Sequence, residues 1–117
     1  MYKVEMYETP MGNKPIEKYL EKLIAQHKEN ELTEILLYID KLKEYGFNIN
    51  KNFTVKAIKP IREQVYELRP SSTRVFFFYY KEGVFVLLHA YEKKTNTTDP
   101  KEIDKAIKEK NNLIKRK

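Results

Sequence analysis

Residues 73–91, TRVFFFYYKEGVFVLLHAY, constrain the fold more than any other part of the chain. Side chains of an extended strand point alternately to two faces, so a strand with one wet face alternates apolar and polar residues. Here Val75, Phe77 and Tyr79 share one parity, and Phe76, Phe78 and Tyr80 share the other. Both faces are apolar, which places this strand inside a sheet covered on both sides. Lys81-Glu82-Gly83 then makes a tight turn, and residues 84–91 return as a second strand.

The remaining segments supply the cover. Residues 2–8 alternate and read as a short strand that Pro10-Met11-Gly12-Asn13 ends. From Pro15 the period changes. Ile16, Tyr19, Leu20, Leu23 and Ile24 recur at helical spacing, Pro15 suits a first helical turn, and Asn13 is the expected cap. This helix is expected to fade near residues 27–30. Leu32, Ile35, Leu36, Ile39, Leu42 and Tyr45 make the stripe of a second helix, which Gly46 stops. The short connection predicts a helical hairpin. Residues 47–61 read as irregular, and Pro60 argues against a central strand. Residues 62–69 read as a strand, followed by a turn at Pro70-Ser71-Ser72. After a loop at 95–100, Asp99 or Thr98 caps a last helix from Pro100, with Ile103, Ile107 and Leu113 or Ile114 buried. The expected fold is α+β, in the order β-α-α-β-β-β-α, with helices on a small antiparallel sheet.

Length fits one domain over residues 1–117. Nine Tyr and six Phe supply a substantial core. Lysine and arginine number 23 against 17 acidic residues, a formal net charge of +6. Such a chain favours anionic partners, although a merely solubilising lysine-rich surface gives the same balance. Cysteine is absent, which excludes disulfides, thiolate nucleophiles and cysteine zinc sites. The N-terminus lacks a signal-peptide pattern, and no apolar run approaches the roughly 20 residues of a membrane span. The expected location is cytoplasmic. Neither His27 nor His89 has a partner at metal-ligand spacing, so no metal or cofactor is expected.

The turns set a register. With Glu82-Gly83 as the loop, Lys81 faces Val84, Tyr80 faces Phe85, Phe78 faces Leu87, Phe76 faces His89 and Arg74 faces Tyr91. If the preceding turn sets Arg69 against Arg74, Glu67 faces Phe76. One face then carries Val65, Glu67, Arg69, Arg74, Phe76, Phe78, Phe85, Leu87, His89, Tyr91 and Lys93. Its far end gathers Glu67, Arg69, Arg74, His89, Tyr91 and Lys93. Two arginines facing one another repel. Either Glu67 neutralises them in an exposed cluster of little energetic weight, or they form a phosphate cradle, since the guanidinium fork suits phosphate. His89 reads as a packing histidine bonded through one nitrogen, or as a general acid or base.

The segment YELRPSSTRVFFFYY, with VFVLLHAYEKKTNTTDPKEIDKAIKE, resembles the RelE/ParE toxin superfamily, in particular its HigB-like, phage-derived branch. The resemblance rests on Glu67-Leu68-Arg69, Arg74-Val75-Phe76, Leu88-His89-Ala90-Tyr91, Lys93-Lys94-Thr95, Pro100, Glu102-Ile103 and Ala106. It implies a RelE-like fold and a metal-independent, ribosome-dependent endoribonuclease that cuts mRNA in the ribosomal A site by attack of a ribose 2′-hydroxyl on the adjacent phosphate. It implies neutralisation by a HigA-like helix-turn-helix antitoxin. Residue by residue, it implies phosphate contacts from Arg69 and Arg74 and a basic pair at Lys93 and Lys94. It leaves Glu67 as a candidate base and His89 or Tyr91 as the group that orients or protonates. RelE itself carries a basic residue where Glu67 stands, and several relatives carry a catalytic Tyr or His near the C-terminus that this chain lacks. A ParE-like gyrase-binding toxin, an inactive relative kept as a binding module, and a plain RNA-binding domain are the other readings.

Overall fold

The computed structural model describes residues 1–52 and 56–116. Strand β1 (Lys3–Met6) leads into α1 (Pro15–Ala25) and α2 (Glu29–Tyr45). A 3₁₀ segment, Gly46–Asn52, follows, then β2 (Ile58–Arg62), β3 (Val65–Leu68), β4 (Thr73–Lys81), β5 (Val84–Glu92) and α3 (Pro100–Arg116). The five strands form one sheet in the order β1-β5-β4-β3-β2, with β4 at its centre.

Each face of β4 meets its own apolar layer, as its composition requires. Val75 and Phe77 pack with Phe85, Leu87 and Leu68 under Ile16, Leu23, Ile35, Ile39 and Leu42 of α1 and α2. Phe76 and Phe78 pack with Val65, Val86 and Leu88 under Ala106, Ile107 and Leu113 of α3. Phe76, Phe77, Phe85 and Leu87 are completely buried. At roughly 25 cal/mol per Å² of apolar surface, each is worth on the order of 2 kcal/mol. Among the described residues, no helix is long and apolar enough to cross a membrane.

Several expectations are corrected. The sheet is mixed, because β1 runs parallel to β5. The strand expected over 62–69 is shorter, Val65–Leu68, and a turn at Glu63 and Gln64, whose φ angles are +50° and +68°, parts it from Arg62, the last residue of β2. That turn lacks the Asn or Gly that usually marks such a conformation, so it left no signal. The irregular stretch before it contains β2, an edge strand, where Pro60 costs only an outward-facing donor. Asn50 anchors β2, accepting the Ala57 and Ile58 amides at 2.7 and 2.9 Å. No side chain caps α1, so the expected Asn13 cap is not made. Asp99 does cap α3, accepting the Lys101 amide at 2.9 Å. Ile24, Leu36 and Ile114 lie in the open, and Tyr38 is buried in their stead.

The β4–β5 register carries two irregularities that cancel. Lys81 faces Val84, but Tyr79 faces Phe85, Phe78 faces Val86 and Phe77 faces Leu87. A second irregularity restores Phe76 opposite His89 and Arg74 opposite Tyr91. The pairings expected for Tyr80 with Phe85 and Phe78 with Leu87 are therefore replaced, and Phe85 and Leu87 turn to the α1–α2 face. Bulges of this kind insert one extra residue and re-aim the side chains that follow.

Gly46 ends α2 at φ +57°, and a Cβ there would meet the Tyr2 ring at 2.5 Å. Gly46→Ala is expected to cost about 1–3 kcal/mol, combining a left-handed conformation with displacement of Tyr2. Urea unfolding of the two proteins checks this; equal midpoints would show that Tyr2 does not pack there.

Candidate phosphate-binding site

The basic end of the sheet is built where β3 and β4 exchange. The β3–β4 pairs run through Glu67 opposite Phe76 and Leu68 opposite Val75, which leaves Arg69 and Arg74 next in line. The turn between them is tight, with the Thr73 amide donating to the Pro70 carbonyl at 3.0 Å and Ser71 at φ +53°. Both arginines thus lie beside Glu67.

Glu67 is 1% exposed, an unusual position for a carboxylate. Thr98 donates its hydroxyl to Oε2 at 3.0 Å. The other oxygen, Oε1, faces Nε of Arg69 at 3.8 Å and Nε of Arg74 at 3.9 Å. These are charge contacts and not hydrogen bonds. Both Nε groups are buried and make no hydrogen bond. Arg74 is fixed by its other nitrogen: Nη1 donates to the carbonyls of Ser71 and Thr73 at 2.8 and 2.9 Å. Burial pulls the Arg74 guanidinium below its ordinary pKa, the adjacent Arg69 charge adds to this, and Glu67 opposes both. Lys93 is likewise lowered, by desolvation first and then by Arg74.

One carboxylate is therefore shared by three cations. The surplus positive charge lines an open depression of about 600 Å³ walled by Glu34, Tyr38, Lys56, Arg69, Ser71 and Arg74. An oxyanion entering it meets two planar donor groups on a rigid sheet end, the geometry that suits phosphate.

Tyr91 stacks on Phe76, with ring centroids 5.7 Å apart and planes 20° from parallel. Its hydroxyl is buried and unpartnered. Burial raises its pKa, the Glu67 charge raises it further, and the nearby Thr98 hydroxyl, committed to Glu67, works the other way. Of the residues expected at this end, Glu67, Arg69, Arg74, Tyr91 and Lys93 come together. His89 and Lys94 do not. His89 is 2% exposed and lies between two carboxylates of α3, with Nδ1 2.5 Å from Glu109 and Nε2 3.1 Å from Glu102. It engages both ring nitrogens where one was expected. Lys94 is exposed and turns toward Tyr19 and Lys22 of α1.

Sequence reasoning missed Thr98 as the donor to Glu67 and Tyr38 as a wall of the depression. Thr98 carries no pattern of its own. Tyr38 was legible: Ile35, Tyr38, Ile39 and Leu42 follow the i, i+3, i+4, i+7 spacing of a buried stripe, and all four are buried.

The family whose model matches this chain falls in the RelE/ParE-like toxin group, and the five-stranded α+β sheet with helices on both faces is consistent with a toxin fold. Residues 18–111 match the family model described as phage-derived protein Gp49-like (DUF891), and the chain belongs to that family. No curated protein matches it.

Tyr91 yields a pH-dependent prediction. A raised pKa means that the folded protein holds the phenol proton more tightly, so the linked stability is present below the ordinary tyrosine range near 10 and is lost as pH rises through it. Tyr91→Phe removes that component. At pH 8 it is expected to be neutral or to stabilise by up to about 1 kcal/mol, because a buried unpaired hydroxyl disappears. The difference should grow in favour of Phe above pH 10, as read by urea unfolding at both pH values. A difference that shrinks with pH would contradict the burial of this hydroxyl.

Proposed function

We propose that this protein is the toxin of a HigB-like toxin–antitoxin pair and that it cleaves mRNA in the ribosomal A site. The observation that carries the reading is the arginine pair, set side by side around one buried carboxylate with Lys93 in range of all three. Placing like charges together costs stability, and a bound phosphate offsets that cost. The Gp49-like family membership supports the toxin role and an antitoxin partner.

The reaction is transesterification. The ribose 2′-oxygen attacks the adjacent phosphorus and gives up its proton to solvent water, the bond to the 5′-oxygen breaks, and a 2′,3′-cyclic phosphate and a 5′-hydroxyl result. Arg69 and Arg74 hold the non-bridging oxygens and take up the charge that grows in the phosphorane, the largest service such a site provides. Lys93, with its lowered pKa, gives a proton to the departing 5′-oxygen. Glu67 orients the two guanidiniums; at 1% exposure it is closed to a ribose. The Tyr91 ring stacks on Phe76, the strand neighbour of Glu67. His89 holds α3 to the sheet, and Lys94 meets the RNA or the ribosome outside the depression. A helix-turn-helix partner of the HigA type neutralises the protein.

Mapping of message 5′ ends after induction tests this. Wild-type protein is expected to arrest growth and to leave new ends within translated messages. Arg74→Ala should reduce cleavage by about 100-fold or more, the usual effect of losing one charge-stabilising group. Glu67→Gln should lower cleavage while leaving the fold intact. Equal growth arrest by wild type and Arg74→Ala would overturn the site. Arrest with DNA-damage signalling and intact messages would instead identify a gyrase-binding, ParE-like toxin. Salt-dependent RNA binding without cleavage would identify a binding domain.

A further inference from the structure

Strand β2 carries a cation that none of the foregoing uses. Lys59 lies directly opposite Glu67 in the β2–β3 ladder. Opposed residues share a face of the sheet, so Lys59 belongs with Glu67 on the α3 side. Its neighbours agree with that assignment: Ile58 packs in the α1–α2 layer and Ile61 in the α3 layer. Lys59 itself is exposed. Its backbone is held by the same ladder as the arginines. The Arg69 amide donates to the Ala57 carbonyl at 2.8 Å, and Asn50 accepts the Ile58 amide at 2.9 Å.

Four neighbouring strands thus each bring one cation to the same end of the sheet. Lys59 is on β2, Arg69 just past β3, Arg74 on β4 and Lys93 just past β5. Adjacent strands lie about 4.8 Å apart, so the backbones of Lys59 and Lys93 stand three spacings, about 14 Å, from one another across the row. One phosphate group is too small to span it. The charges that bear on Lys93 are Arg74, Arg69 and Lys59, which repel it, and Glu67, which attracts it. Three cations thus oppose one carboxylate. Asp99 and Glu102, at the start of α3, are taken up by the Lys101 amide and by His89. Among the described residues, neither Lys59 nor Lys93 lies within ion-pair distance of a carboxylate. Unmatched like charges set in a row repel, and a chain of phosphates relieves that repulsion.

We propose that Lys59 holds a second phosphate of the same RNA strand, next to the one seated between Arg69 and Arg74. The choice of RNA rests on the cleavage reading above; the second anion subsite rests on the cation row. Polarity follows from the roles already given. Lys93 meets the departing 5′-oxygen, so the chain on the 3′ side of the cut leaves over β5. The chain on the 5′ side crosses β3 toward β2, and its first phosphate comes to Lys59. A lysine suits this place, because a point charge fixes the path of the backbone without reading a base. Lys59 touches no reacting atom. It positions the strand, and the chemistry stays with the arginines and Lys93.

The test uses the full chain, ¹⁵N-labelled, and two uridine dinucleotides that lack the attacking 2′-hydroxyl. One carries its internal phosphate alone; the other carries a 5′-terminal phosphate as well. Amide shifts at Arg69 and Arg74, followed at low salt, report binding. Wild-type protein is expected to bind the two-phosphate ligand about threefold to fivefold more tightly, the range of an exposed charge pair. Lys59→Gln should bind the two ligands alike, and Lys59→Arg should restore the preference. Lys81→Gln removes the same charge at the opposite end of the sheet and should keep it. With a nine-nucleotide strand of the same kind, Lys59→Gln should lower the salt slope by about 0.7, the share of one phosphate on a single strand. In cleavage, Lys59→Gln should raise KM about threefold and leave kcat unchanged. A preference that survives Lys59→Gln, or that Lys81→Gln abolishes equally, would overturn the proposal, as would Lys59-dependent binding of a glutamate peptide in place of the dinucleotides. Wild-type protein that binds the one-phosphate ligand and gains nothing from the second removes this subsite alone. Wild-type protein that binds neither removes the phosphate site itself.

Discussion

A central strand that is apolar on both faces cannot be satisfied by one layer of helices, and the rest of this molecule follows from that. β4 needs α1 and α2 on one side and α3 on the other. The two layers are made differently. α1 and α2 bring a broad apolar face of leucine and isoleucine. α3 brings few buried apolar residues, chiefly Ala106, Ile107 and Leu113, and also buries Glu109 and Lys110. It is held by polar contacts: Glu102 and Glu109 on His89, Lys110 on the Glu63 carbonyl, Arg62 on Asp104, and the Tyr7 hydroxyl on Asn112 at 2.9 Å. Such contacts add little net stability each, but leaving any one buried partner alone is costly, so they fix the position of the helix more than its affinity for the sheet.

That position matters because α3 begins at the site. The loop that leads into it carries Thr98, and Thr98 supplies the hydrogen bond that Glu67 receives. An ionised carboxylate without partners is too costly to bury. Glu67 is tolerated because two guanidiniums flank it and one hydroxyl reaches it. Conversely, the arginines tolerate one another because Glu67 lies between them. The loop into α3, the burial of Glu67 and the placement of Arg69 and Arg74 are thus joined by one set of contacts.

The sequence made the architecture legible wherever periodicity was strong. The double apolar parity of residues 75–80 required cover on both sides, and the spacing from Pro15 to Gly46 gave both helices. What stayed hidden had physical causes. The Glu63–Gln64 turn uses left-handed conformations without glycine or asparagine, so it left no mark, and Pro60 made β2 read as irregular. The parallel addition of β1 leaves no local mark, because its partner lies some eighty residues away. At the site, Glu67, Arg69, Arg74, Tyr91 and Lys93 were gathered from register and turn geometry. His89 was placed on the correct face, but its partners are on α3, and no pattern within the sheet could announce them.

The two irregularities in the β4–β5 ladder explain how a partly mistaken register still set Arg74 opposite Tyr91. The first adds a residue on β4 near Tyr80; the second adds one on β5 at Leu88. Between them every pair is displaced by one, which sends Phe85 and Leu87 to the opposite core layer. Beyond them the displacement is undone, so Arg74 meets Tyr91 as a plain hairpin would have it. The second irregularity also separates two functions along one strand. Up to Leu87, β5 is an interior strand with β1 on its outer side. Past His89 it is an edge strand, with its outward groups at Ala90 and Glu92. An uninterrupted strand would turn Leu87, His89 and Tyr91 in the same direction. The extra residue instead faces Tyr91 toward β4, where its ring packs on Phe76 beside the arginine cluster, and leaves the backbone on either side of it on the outer edge.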